Sequence, residues 1–133
     1  MNPAALRRLT GLAEARRARD LARLDRLLAR ARELEAEIAS LATTLARDRE
    51  AGVPLPLPQQ ALRQSWVDQR VRAVLRQRAA LVPEIAAARA EAVQSLGKHR
   101  ALEELVERGE HDARQQRVAR AEREAPAPPA RGA

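Results

Sequence analysis

The sequence predicts an all-α fold: two long helices in an antiparallel coiled-coil hairpin, the second helix longer, followed by a disordered Pro/Ala-rich tail. Three observations lead there. Ala, Arg, Leu, Glu and Gln dominate a chain of 133 residues with no Phe, no Tyr and a single Trp, so any core must be built from Leu, Ile, Val and Ala on helices. Apolar residues recur at spacings of three and four over long stretches. One proline-rich break, "AGVPLPLPQQ" at residues 51–60, interrupts them near the middle.

The first helix is expected over residues 3–50. Asn2 can cap it, and Pro3 suits a first helical position, where its missing N–H is no loss. From Leu24 the seam is regular: Leu24, Leu27, Ala31, Leu34, Ile38, Leu41 and Leu45 alternate spacings of three and four. Each such side chain is worth about 1.5–3 kcal/mol when buried, enough to hold a partner helix. Upstream, Leu6, Leu9, Ala13 and Leu21 do not join that register without a slip, and Gly11 weakens the early turns.

Gly52 and Pro54, Pro56 and Pro58 place a turn at residues 51–58, read as a hairpin tip rather than a linker between domains. A second helix is expected over 59–124, with Pro58 able to serve as its first residue and "SWVD" resembling a later capping box. Its apolar pattern has a period nearer eleven than seven: Val71, Val74 and Leu75, then Val82, Ile85 and Ala86, then Val93 and Leu96. An eleven-residue period conflicts with the heptads of the first helix and implies a nearly straight pairing with a local register shift. Pro83 is expected to kink a continuous helix rather than break it into a three-helix bundle. Pairs Glu104–Arg108 and Glu110–Arg114 have the spacing of helical ion pairs. The tail, residues 125–133, is too rich in Pro and Ala to fold.

On these bounds the helices measure roughly 70 and 95 Å, so the second should outrun the first by about 25 Å. The overhang would carry Leu102, Leu105 and Val106 with no internal partner, which makes it a candidate binding surface.

The formal charge is +7, with 11 basic and 8 acidic residues in 1–50, 8 and 3 in 51–100, and 6 and 7 in 101–133. The excess gathers around Arg63, Arg70, Arg72, Arg76 and Arg78, a field suited to nucleic acid, anionic lipid or an acidic protein surface. Single-strand binders add stacking aromatics, and Trp66 alone is a poor platform; no duplex-reading motif is visible either. Nucleic acid is therefore disfavoured, and most of the arginines suit a solvated coiled-coil face. Trp66, beside Arg63 and Arg70, could plug the end of the seam or anchor a partner.

Catalysis is not expected. The glycines form no phosphate-binding loop, and the serines have no elbow or base around them. His99 and His111 are twelve residues apart, about 18 Å along one helix and too far to share a metal. Neither a metal nor another cofactor is implied. The absence of cysteine removes a thiol nucleophile and any disulfide framework. No apolar run approaches the roughly 20 residues of a membrane span, and the N-terminus lacks a secretory apolar region. A cytoplasmic protein is expected.

The opening "LRRLTGLAEARRARDLARLDRLLARARELEAEIASL", the break near residue 50 and above all "KHRALEELVERGEHDARQQRVARAERE" resemble the flagellar export protein FliJ and the YscO-like stalk proteins of type III secretion. In that family a basic or polar position precedes a Leu-Glu pair and then a Leu with Glu-Arg, matched here by Lys98, Leu102, Glu103, Leu105, Glu107 and Arg108. The resemblance implies a cytoplasmic antiparallel hairpin similar in form to the central stalk of rotary ATPases. It also implies partners: the export ATPase ring, which family members help to assemble and stimulate, substrate chaperones, and the cytoplasmic domain of the export gate. Through the gate the chain would lie at the inner face of the cell membrane. By that analogy the end bearing both termini enters the ring, while Arg63, Trp66 and Arg70 near the turn face an acidic partner. The alternative reading is a generic coiled-coil adaptor or a basic nucleic-acid-binding protein.

Overall fold

The structure, a computed structural model, describes residues 2–52 and 56–126. Part of the expected turn, at 53–55, and most of the expected disordered tail, at 127–133, lie outside the described residues. The fold is an all-α helical hairpin of two helices, α1 (Pro3–Glu50) and α2 (Leu57–Glu124). Its contacts gather into two compact units. The first comprises Met1–Arg17 and Ser95–Ala133, and the second comprises Ala18–Gln94.

Local chemistry accounts for the helix ends. Ala4 N donates to Asn2 Oδ1 at 3.0 Å and Leu6 N donates to Asn2 O at 3.0 Å, so Asn2 caps α1 with side chain and backbone together. At the other end Ala51 N still reaches Arg47 O, and Gly52 then turns out of the helix at φ 64°, a left-handed conformation suited to glycine. The second helix begins two residues earlier than expected. Pro56 O accepts from Gln59 N at 2.9 Å and from Gln60 N at 3.1 Å, and Pro58 sits in the first turn, where its N–H would have had no helical acceptor. Ser65 and Asp68 are therefore interior residues, not a cap.

Pro83 lies inside α2 and the helix continues through it. The carbonyl left without a donor belongs to Ala79, and both residues are exposed. Water can serve that carbonyl, which lowers the cost of the missing bond.

Burial along the helices corrects two sequence expectations. In α1 a series of less exposed positions runs Leu6, Thr10, Ala13, Arg17, Asp20, Leu24, Leu27, Ala31, Leu34, Ile38, Leu41, Leu45 and Asp48, with Leu21, Leu28 and a few others beside it. That is an unbroken alternation of four and three, with no slip. The early register was hidden because polar residues hold it. Thr10 Oγ1 donates to Leu6 O at 2.8 Å, which satisfies its hydroxyl inside the helix, and Asp20 is buried.

In α2 the seam is Val67, Val71, Val74, Leu81, Ile85, Ala88, Ala92, Ser95, His99, Leu102 and Val106, with Arg78 the one exposed member of the series. This is a seven-residue repeat, not an eleven-residue one. Leu75 and Ala86 are exposed, Val82 is 64% exposed and Val93 70% exposed. The physical reason is the partner: a helix paired with heptads must itself repeat every seven residues to keep facing it. Small Ala88 and Ala92 are buried in preference to larger Val82 and Val93 because they lie in register.

Candidate partner-binding surface

In the first unit, α1 supplies Leu6, Ala13, Glu14 and Arg17, and α2 supplies His99, Leu102, Glu103 and Val106. His99, buried at the seam, places Nε2 2.8 Å from Glu14 Oε2 and 3.3 Å from Glu103 Oε1. Glu14 Oε1 in turn accepts from Arg17 Nη1 at 3.0 Å. A cation or N–H donor between two carboxylates at a seam position ties the helices at one register. His111 is exposed, so the two histidines serve different surroundings.

The expectation that Leu102, Leu105 and Val106 lack an internal partner needs correction. Leu102 and Val106 are half-buried on the seam, and only Leu105 among the three is exposed. The reason is again register: the heptad carried by Ser95 and His99 continues through 102 and 106, whereas Leu105 is off it. Lys98, Glu103, Glu107 and Arg108 are exposed on the same segment, so of the motif residues only Leu102 belongs to the seam and the rest form an outer face. The pairs Glu104–Arg108 and Glu110–Arg114 do not form among the described residues. Ion pairs that do form within a helix include Glu14–Arg17 and Arg30–Glu33 at spacing three and His99–Glu103 at spacing four.

Beyond Val106 the unit opens into a groove of about 650 Å³ between Pro3, Leu6 and Arg7 of α1 and residues from Val106 to Arg120 of α2. Sequence reading missed it. Its signal is nonetheless present, as Gly109 and Ala113 continue the seam spacing with small residues while Arg114, Arg117 and Arg120 repeat every third position.

In the second unit the arginines around the tip are mostly engaged by α1. Arg63 pairs with Asp48, Arg70 Nε donates to Glu37 Oε1 at 2.7 Å and Arg78 meets Glu35 at 2.7 Å; in the opposite sense, Arg23 of α1 meets Glu91 of α2 at 2.9 Å. The acidic surface that Arg63 and Arg70 were expected to meet is thus, for these two, the chain's own first helix. Arg72 and Arg76 are exposed and make no ion pair among the described residues. Trp66 is 59% exposed, and it is Val67 that occupies the seam, so Trp66 does not plug it. With exposed Leu62 one turn earlier, Trp66 forms a small apolar face. Among the described residues, no helix is long and apolar enough to cross a membrane.

Comparison with protein families, with characterised proteins and with solved structures gives no match.

Proposed function

We propose that this chain is a non-catalytic coiled-coil component of a type III protein export apparatus of flagellar kind. In this reading it acts as a stalk that binds and stimulates an export ATPase ring and links it to the export gate and to substrate chaperones. It works in the cytoplasm, at the inner face of the membrane through the gate. The observation that carries the reading is the hairpin of two unequal long helices whose ends, Pro3 and Glu124, belong to one unit. The resemblance of residues 98–124 to the FliJ and YscO-like pattern supplies the class of partner. Leu105, Glu107 and Arg108 form the outer face toward the ring, and Trp66 with Leu62 forms a second contact near the turn.

The engaged arginines favour this reading over nucleic-acid binding. Among the described residues Arg17, Arg19, Arg23, Arg30, Arg63, Arg70 and Arg78 already meet carboxylates, which leaves less free charge to neutralise a phosphate backbone.

The test is co-sedimentation with a purified export ATPase and measurement of its ATP hydrolysis rate. The full chain should bind and accelerate hydrolysis, and the exposed double substitution L105E/R108E should lose both effects while remaining helical. No binding and no change in rate would remove the export reading. A salt-sensitive mobility shift of DNA would favour the nucleic-acid alternative.

A further inference from the structure

We propose that the groove beyond the start of α1 receives an acidic helical segment of a partner protein, which lies along α2 where α1 leaves off. The seam of α2 does not stop at Val106. The spacing of three and four continues through Gly109, Ala113, Gln116 and Arg120, and all four line the groove. On the α1 side the lining is Pro3, Leu6 and Arg7, the first turns of that helix. A helix in this slot would continue the line of α1 against a seam that already has coiled-coil spacing.

Side-chain size fits such an occupant. Gly109 and Ala113 keep the floor low, and a Cβ built at Gly109 meets nothing within 4 Å. The apolar contact offered is small, since among the described residues Leu6 and Val106 are the only large aliphatic ones in the lining. Charge must therefore provide much of the recognition.

The sign of that charge is clear. Arg7, Arg114, Arg117 and Arg120 face Glu110 alone among acidic lining residues, and none of the four arginines makes an ion pair among the described residues. The first turn of α1 holds no acidic residue to offset the positive end of its helix dipole. Carboxylates entering the slot would meet guanidinium groups able to bind them in bidentate fashion. The first helix of a second copy would be repelled, because it brings Arg7 and Arg8 and no acidic residue before Glu14.

The inference stands on the groove and does not need the export reading. Its test uses the full chain and a fluorescent peptide of about 20 residues, long enough to hold a helix, with Leu at seam positions and Glu on the flanks. Fluorescence anisotropy should show binding that weakens with salt, and the same peptide with Lys for Glu should not bind. R114E/R117E/R120E should weaken binding by roughly tenfold or more, and A113E should block the slot. R72E/R76E/R89E, with the same change in net charge elsewhere, should leave it intact. Circular dichroism checks that each variant stays helical. Equal binding of the Lys peptide, equal loss in the two triple variants, or no binding at all would overturn the proposal. So would self-association of the chain that A113E abolishes, since the slot would then belong to a second copy.

Discussion

His99 Nε2 lies 2.8 Å from Glu14 Oε2, so a buried imidazole on α2 is matched to a half-exposed carboxylate on α1 at a position where a coiled coil ordinarily carries Leu. A polar group there restricts the registers and assemblies a pair of helices can adopt, at a cost in stability. The substitution His99→Leu should therefore raise the denaturation midpoint, by the equivalent of about 1 kcal/mol or more. It should also increase self-association, seen by sedimentation equilibrium. A destabilised H99L with unchanged assembly state would show that the imidazole contributes stability and not register.

The two apolar stripes on α2 differ in what they should cost to truncate. Val74 is fully buried and Leu34 nearly so, so Val74→Ala should lose about 2 kcal/mol and Leu34→Ala about 2–5 kcal/mol. Val82→Ala and Val93→Ala should change stability by no more than about 0.5 kcal/mol. Urea denaturation measures all four, and a large loss at Val82 or Val93 would restore the eleven-residue register.

Ala88 has no exposed surface. Enlarging it with Ala88→Leu should overpack the seam and cost about 1–3 kcal/mol, although Leu is the commoner residue at such positions. Ala86→Leu, two residues away on the exposed side, should be close to neutral. Thermal denaturation of the pair reads the difference directly.

Glycine substitutions should split by backbone conformation. Gly11 and Gly97 are helical, and an added Cβ meets nothing within 4 Å, so Ala at either should stabilise by about 0.5–1 kcal/mol. Gly52 has φ 64°, and Gly52→Ala should destabilise by about 1 kcal/mol, since a Cβ disfavours that region. Melting temperatures of the three single variants settle the order.

Arg70 and Glu37 are 2.6 Å apart but partly solvated, with side chains 42% and 32% exposed. A double-mutant cycle with R70A and E37A should give a coupling below about 1 kcal/mol that shrinks with salt. A larger, salt-insensitive coupling would mean that the tip depends on this pair more than its exposure implies.

Much of the candidate surface was legible in outline, and its sorting was not. The segment from Lys98 to Arg108 stands out by pattern, yet Leu102 and Val106 turn out to be seam residues while Leu105 is free. Arg63 and Arg70 look like one free basic field with Arg72 and Arg76 until Asp48 and Glu37 are placed beside them. The spacing of Gly109, Ala113, Arg114, Arg117 and Arg120 is visible in the sequence, but that these residues line a groove is not. The groove depends on where α1 begins relative to α2, a relation between residues about a hundred positions apart.

The sequence by itself determined the two helices, both ends of the first and, to within two residues, the start of the second, because those depend on neighbours a few residues away: Asn2 before Pro3, Gly52 after the last turn, Pro58 near the next start. It also determined the α1 seam from Leu24 onward, where only one stripe is apolar. Only the tertiary structure decided which face of α2 is buried. Two stripes compete there and share Val71, Val74 and Ile85: one continues through Leu75, Val82 and Val93, and the other is spaced to match α1. Hydrophobic content alone favours Val82 and Val93; the need to keep step with a partner helix over many turns selects Ala88, Ala92, Ser95 and His99. Continuous contact at modest gain per residue outweighs a few larger side chains that would leave the seam.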